Sequence, residues 1–128
     1  PTETGQMFTN TLETVKDMGL TFLHVFPYSI RPGTAAARMP AVPGDLAKDR
    51  ARQLRAVGDR ALNRLFEASL GGAVEVLVEK GQSGHSRHFI PVDLTCDEGA
   101  SCPVGGIVEA RAEGIDAARG RLIARLAA

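Results

Sequence analysis

The stretch His24-Val25-Phe26-Pro27-Tyr28-Ser29-Ile30-Arg31-Pro32-Gly33-Thr34 gives the strongest indication of fold in this 128-residue chain. The residues that lead into it, Leu20 to Phe26, are almost continuously apolar, which is typical of a central parallel strand covered on both faces. Pro27 has no backbone N–H, so the strand is expected to end there, and the proline-glycine pair further along predicts a turn. Tyr28 and Arg31 would then present a phenol and a planar cation just beyond the strand. The pattern predicts a β/α unit whose strand end carries polar groups.

A short helix is predicted before this strand. Thr2 or Thr4 can cap its start, and Gly19 is placed to end it. Its apolar residues recur at helical spacing: Phe8, Leu12 and Val15. One helix cannot cover both faces of a strand, so we expect further residues of a longer protein to do so. Self-association through the exposed strand and a poorly ordered N-terminal third are the alternatives.

A second, longer helix is predicted from a cap at Asp45 to about Ser69, after a linker rich in proline and glycine. Its apolar residues at helical spacing are Leu46, Leu54, Val57, Ala61 and Leu65. Its other side carries Lys48, Arg50, Arg52, Arg55, Arg60 and Arg64. A basic face of this kind is most often solvated and crossed by ion pairs, and contact with an RNA backbone is the alternative.

Short strands separated by glycine-containing turns are predicted for the rest of the chain. They cover residues 73–79, 86–94, 106–112 and 121–126, with a turn at 80–84. Strands of this length and spacing favour a small antiparallel barrel or a curled sheet.

Four residues near the first turn could bind RNA: His85, Arg87, His88 and Phe89. An aromatic or imidazole ring beside a guanidinium can stack on a base and hold a phosphate, which is the usual chemistry of unpaired RNA. A turn histidine and a core phenylalanine are the structural alternative.

Composition excludes several classes of protein. No apolar run approaches the length of a membrane span, and no basic-then-apolar signal sequence is present, so we expect a soluble cytoplasmic protein without a membrane partner. Fifteen basic residues balance fifteen acidic ones, so net charge alone does not indicate a nucleic-acid partner. Any contact with RNA would have to come from a local patch.

Cys96 and Cys102 flank a polar, loop-like segment at residues 97–101. Their spacing matches no common metal-binding pattern, and two thiolates cannot complete a zinc or cluster site by themselves. Reduced thiols without a role are the favoured interpretation in a cytosolic protein. A local disulfide, or a metal shared with His85 or His88, is the alternative.

The segment from Leu23 to Thr34, continued by Met39-Pro40, resembles the end of the catalytic barrel in the radical S-adenosylmethionine tRNA methylthiotransferases. Its histidine-containing approach is most similar to the branch that acts on threonylcarbamoyl-adenosine. Pro1 to Thr4 match the second half of a motif at the mouth of a barrel strand in that family. Gly84-His85-Ser86 and Pro91-Val92 resemble points of its RNA-binding TRAM domain.

This resemblance implies an α+β fold. Residues 1–43 would be the last β/α repeat of a radical SAM partial barrel, 44–70 a connecting helix, and 71–128 a TRAM-like, OB-like antiparallel β-barrel. Glu3, Tyr28 and Arg31 would line the rim of the active site, and His85, Arg87, His88 and Phe89 would bind tRNA.

The resemblance also implies a reaction. The whole enzyme would convert N6-threonylcarbamoyladenosine beside the anticodon to its 2-methylthio derivative, using two 4Fe-4S clusters and S-adenosyl-L-methionine. Its partners would be the tRNA anticodon stem-loop and the rest of the enzyme upstream of Pro1. The closely spaced cysteine triplet of a radical SAM cluster is missing, so this chain alone is expected to be inactive. A stand-alone, non-catalytic module that binds RNA or protein is the alternative.

Overall fold

The computed structural model describes residues 1–96 and 102–127. They form two compact units, Pro1–Arg64 and Leu65–Ala128, called here unit 1 and the barrel unit. The elements are α1 (Gly5–Asp17), a 3-10 turn (Ala36–Arg38), α2 (Gly44–Ser69), β1 (Ala73–Lys80), β2 (Ser83–Ser86), β3 (Pro91–Thr95), β4 (Ile107–Asp116) and β5 (Arg121–Leu126). Among these elements, neither helix is long and apolar enough to cross a membrane.

Helix α1 confirms the prediction made from the sequence. The hydroxyl of Thr4 caps the helix by accepting a hydrogen bond from the backbone N–H of Met7 at 3.2 Å. Gly19 follows the last turn with φ of +63°, a left-handed conformation that glycine adopts without strain. Phe8 and Val15 are buried on the predicted face.

Helix α2 also forms, but its start differs slightly from the prediction. The helix begins at Gly44, so Asp45 lies in the first turn rather than at the cap. A carboxylate there still interacts favourably with the helix dipole. Ala51 and Val57 are buried. Gly58 leaves room for Leu23, because a Cβ atom at this position would lie 2.9 Å from the Cδ1 atom of Leu23.

The prediction of a strand over Leu20–Phe26 is wrong. These residues belong to no helix or strand in the structure, and the Phe26 side chain is 83% exposed. A strand is stable only when a neighbour satisfies its backbone groups and covers its faces. The described residues of unit 1 contain no other strand that could do so. This apolar run therefore has no sheet pairing.

The barrel unit is a closed five-stranded barrel in the order β1-β2-β3-β5-β4, with β4 paired to β1. The predicted barrel is thus confirmed, but its pairing is not wholly antiparallel, because β3 and β5 run parallel. Alternate residues of the strands point into the core. The fully buried ones are Val76, Val78, Val92, Leu122 and Ala124.

The prediction of a single strand over residues 86–94 is also wrong in its extent. Only Ser86 of this range belongs to β2 and only residues 91–94 belong to β3, and residues 87–90 separate the two strands. The turn predicted at 80–84 is wrong in its extent too, because β2 already begins at Ser83. The Ser86 hydroxyl accepts hydrogen bonds from the backbone N–H groups of His88 and Ile90, at 3.3 and 3.2 Å, which draws the chain into the turn between β2 and β3. The third strand is longer than predicted and extends to Asp116, whereas β5 has the predicted bounds.

The backbones of β1 and β2 approach each other closely at Gly84, and only glycine fits there. A Cβ atom at this position would lie 1.9 Å from the carbonyl oxygen of Leu77, far inside van der Waals contact. No side chain can therefore replace the hydrogen of this glycine without moving one of the two strands.

Candidate functional site

The turn between β2 and β3 carries three of the four residues predicted to bind RNA, and the fourth, His85, lies on β2 next to it. The rings of His85 and Phe89 stack, with centroids 5.0 Å apart and an interplanar angle of 28°. Phe89 is 71% exposed, so the outer face of its ring is open to solvent. Arg87 and His88 are exposed as well. The surface formed by His85, Arg87 and Phe89 is called the turn surface below.

Phe89 owes its position to an unusual backbone conformation. Its φ is +63°, a left-handed region that costs a bulky residue about 1–3 kcal/mol. The neighbours hold this conformation: the Phe89 N–H donates to the carbonyl of Ser86 at 2.9 Å, and the Ser86 N–H donates to the carbonyl of Ile90 at 2.8 Å. Ile90 is 2% exposed and anchors the end of the turn in the core. A large aromatic ring is thus fixed on the surface rather than in the core.

The two basic side chains of the turn surface, Arg87 and His85, lie beside carboxylates of β1. Arg87 Nη2 is 3.0 Å from Glu75 Oε2, and His85 Nδ1 is 3.0 Å from Glu79 Oε2. The His85 contact is an ion pair only when the imidazole is protonated. It is short enough for a hydrogen bond but lacks suitable angles, so Nδ1 has no hydrogen-bond partner among the described residues.

Glu75 and Glu79 were not predicted as part of this surface. The alternation of β1 did indicate that they point outward. What places them beside Arg87 and His85 is the register of β1 against β2, in which Val76 pairs with Ser86 and Leu77 with His85. Register depends on the turn and on the bulge between Val78 and Lys80, which no local pattern revealed.

In unit 1, two of the three predicted rim residues line one cavity of about 460 Å³. Glu3 and Tyr28 contribute to its wall, together with the apolar side chains of Phe26 and Ile30. Arg31 is exposed and is not among the lining residues. The Arg31 carbonyl accepts hydrogen bonds from the hydroxyl and the N–H of Thr34, at 2.8 and 3.3 Å, which form the predicted turn.

Arg50 also lines this cavity, although the sequence predicted a different position for it. It was predicted on the basic face of α2, but it is 8% exposed and lines the cavity. Its Nη1 donates to the Glu3 carboxylate at 2.7 Å and to the Glu3 carbonyl at 2.9 Å. Its guanidinium lies 5.4 Å from the ring centroid of Phe8. The signal was present, because position 50 falls between Leu46 and Leu54 at spacings of four residues, on the apolar side of the helix.

Cys96 and Cys102 are free thiols with their Sγ atoms 3.0 Å apart. The hydrogen bond with Cys96, with a smaller contribution from burial, raises the pKa of the Cys102 thiol to about 11, so it is protonated at neutral pH. The loop predicted between them, residues 97–101, lies outside the described residues. No cluster of three or more potential metal ligands occurs in residues 1–96 and 102–127. Two cysteines do not fit the three-cysteine requirement of a radical SAM cluster.

Comparison with known proteins links the chain to one group of enzymes. It is 49% identical over 94 residues to the threonylcarbamoyladenosine tRNA methylthiotransferase MtaB of Rickettsia prowazekii, covering 73% of this chain and 22% of that protein. It is 40% identical over 83 residues to the tRNA-2-methylthio-N(6)-dimethylallyladenosine synthase of Acidothermus cellulolyticus, covering 64% of this chain and 17% of that protein. The chain thus spans about a fifth of the length of these relatives.

Two further comparisons add no evidence about the family of the chain. No protein-family model matches the chain. Among solved structures, the apo form of Mycoplasma genitalium RNase R is similar with a TM-score of 0.42 and 12% identity, covering 63% of this chain and 17% of that one. The relatives named above confirm the resemblance to the tRNA methylthiotransferases.

Proposed function

We propose that this chain is the C-terminal segment of a tRNA methylthiotransferase and that its barrel unit binds the anticodon stem-loop of the tRNA. The enzyme would convert N6-threonylcarbamoyladenosine to its 2-methylthio derivative in the cytoplasm. The names of the relatives support this assignment, and the branch follows the Rickettsia prowazekii protein, which is 49% identical. The enzyme would use two 4Fe-4S clusters and S-adenosyl-L-methionine. Residues outside this chain would have to supply the cluster ligands.

The observation that carries the RNA-binding proposal is the exposed ring of Phe89, held outward by a strained backbone and stacked on His85. Stacking a base on an aromatic side chain contributes about 1–3 kcal/mol. Arg87, on the same turn, can contact a phosphate of the stacked nucleotide, and His88 would add a further donor. The barrel positions these groups on a rigid scaffold, so little conformational entropy is lost when RNA binds.

The rim of the active site would be built from Glu3, Tyr28 and Arg31. Glu3 and Tyr28 share the wall of the cavity in unit 1, and this supports a common role for the two. Because Arg50 already pairs with Glu3, the carboxylate is oriented and partly neutralised. It would therefore act as an oriented hydrogen-bond acceptor rather than as a free base.

Binding of an anticodon stem-loop to the 128-residue chain tests the proposal. Phe89→Ala should weaken binding roughly tenfold because the stacking surface is lost. Arg87→Ala should weaken it less and should reduce the dependence of affinity on salt. Fluorescence anisotropy at several salt concentrations measures both effects.

Two variants serve as controls for this experiment. Phe89→Tyr keeps the ring face and should keep the affinity. Arg119→Ala removes another exposed barrel arginine, one paired with Asp93 and Asp116, and should have no effect. Unchanged affinity in both Phe89→Ala and Arg87→Ala would contradict an RNA-binding role for the turn surface.

A further inference from the structure

We infer that Glu75 makes the turn surface selective for unpaired bases over the backbone of a duplex. This inference rests on the proposed function, in which the turn surface binds RNA. It adds one residue that does not stack on the base and assigns it a role in selecting the kind of RNA.

One carboxylate of β1 lies beside each basic side chain of the turn surface. Leu77 pairs with His85 in the antiparallel register of β1 and β2, so Glu79 lies diagonally across from His85. Arg87 follows the end of β2, next to the pair of Val76 with Ser86, and its side chain contacts Glu75. Both contacts measure 3.0 Å, and the two glutamates are half exposed, at 47% and 51%. Arg87 is exposed, so an incoming phosphate can reach its pair with Glu75 from solvent, whereas the Nδ1 atom of His85 is buried.

The Glu75 carboxylate reduces the free energy that a phosphate gains by binding to Arg87. A phosphate that binds the Nη2 group of Arg87 must displace Glu75, which then requires a counterion of its own. The exchange replaces one ion pair with another, and exposed ion pairs are weak. Long-range attraction does not compensate, because the basic and acidic residues of the chain are equal in number. A partner that offers only phosphates is therefore bound weakly.

An unpaired base has an additional group to offer. Its free face can stack on the exposed ring of Phe89. Bases inside a duplex are already stacked on their neighbours and have no free face. Stacking thus contributes more to the affinity of the turn surface than charge does. We therefore expect this surface to bind single-stranded loops more tightly than double-stranded stems.

Glu75→Gln tests this inference, because it keeps the size of the side chain and removes the charge that holds Arg87. Anisotropy would be measured on the 128-residue chain with a short single-stranded RNA and with the duplex formed by that strand and its complement. We expect affinity for the duplex to rise about three- to fivefold, which is the upper range for freeing one exposed charge. Affinity for the single strand should rise less. The slope of log affinity against log salt should steepen by about 0.7 to 0.9.

Glu113→Gln is the matched control. Glu113 is 43% exposed and pairs with Arg125 at 3.1 Å on strands β4 and β5, so its replacement removes the same charge from another part of the barrel. It should leave the ratio of the two affinities unchanged. Equal effects of the two variants would show that only net charge matters and would overturn the inference.

The outcomes distinguish a failure of this inference from a failure of the proposed function. If Phe89→Ala weakens binding of the single strand but Glu75→Gln leaves the single-strand to duplex ratio as it was, the selectivity role is wrong and the RNA-binding role stands. If Phe89→Ala and Arg87→Ala change neither affinity, the RNA-binding role fails and the inference falls with it. Circular dichroism of each variant would establish that the barrel is folded.

Discussion

Unit 1 and the barrel unit contain similar apolar, strand-prone sequences with different outcomes. In the barrel, alternate residues of β1 such as Val76 and Val78 are 0% exposed, because each strand has two hydrogen-bonded neighbours. In unit 1, Phe26 is 83% exposed and Ile30 is 65% exposed, in a segment without sheet pairing. The difference teaches that an apolar run becomes a buried strand only when the chain supplies the strands beside it.

The two units also differ in the chemistry that holds them together. The barrel is stabilised by backbone hydrogen bonds around a closed ring and by an apolar core. In unit 1, one buried arginine links distant parts of the chain, because Arg50 of α2 donates to both the carboxylate and the carbonyl of Glu3. The barrel should therefore be most sensitive to steric change and unit 1 to the loss of a polar contact.

Gly84→Ala should have the largest effect and tests the steric side of this comparison. The added methyl group would lie 1.9 Å from the Leu77 carbonyl oxygen, so β1 and β2 could not keep their register. We expect the free energy of unfolding of the barrel to fall by more than about 3 kcal/mol. Urea denaturation, followed by hydrogen exchange of the β1 amides, measures it.

Gly114→Ala is the control for this prediction. Its added methyl group would lie 3.7 Å from Ile123, an ordinary contact, so stability should change by less than about 1 kcal/mol. Equal losses in the two variants would contradict the close approach of β1 and β2.

Arg50→Ala should have the next largest effect and tests the polar side of the comparison. It removes both hydrogen bonds to Glu3 and the contact with the Phe8 ring. We expect unit 1 to lose about 2–3 kcal/mol of stability, since hydrogen bonds to charged groups and buried aliphatic stems each contribute. Faster hydrogen exchange of the α1 amides would report the loss. Arg52→Ala, at a position 76% exposed, should leave these amides unchanged.

The smallest expected effect is a loss of barrel stability at high pH, and it involves Cys102. The hydrogen bond with Cys96 raises the pKa of this thiol from 9.0 to about 11, so folding favours the protonated form. The stabilisation is complete below pH 9 and is lost as the pH rises towards 11. Urea denaturation of the reduced protein should show a decline over this interval that is shallower in Cys102→Ser. Parallel curves for the two proteins would contradict the thiol pair.

Local signals in the sequence predicted much of the fold. Thr4 and Gly19 delimit α1, and the alternation of β1 and the apolar residues of β5 located those strands. The break after Ser86 was missed because it depends on a positive φ at Phe89, where a glycine would have been the usual signal. The parallel pairing of β3 with β5 joins residues far apart in sequence, which no local pattern encodes.

The candidate sites were predictable to a smaller extent. The sequence brought His85, Arg87 and Phe89 together because they are neighbours in the chain. It did not bring Glu75 to Arg87, because their contact depends on strand register. Arg50 could have been assigned to the apolar face by counting helical positions, but its basic side chain favoured the opposite assignment.

The parallel pairing of β3 and β5 has a consequence for synthesis on the ribosome. β5 pairs with both β3 and β4, and it is the last of the five strands in chain order. Until residues 121–126 leave the exit tunnel, the other four strands can form only an open sheet whose edges are β3 and β4. Such edges invite pairing with other nascent chains, and long-range closure is slow. The barrel can therefore close only after β5 has emerged from the tunnel.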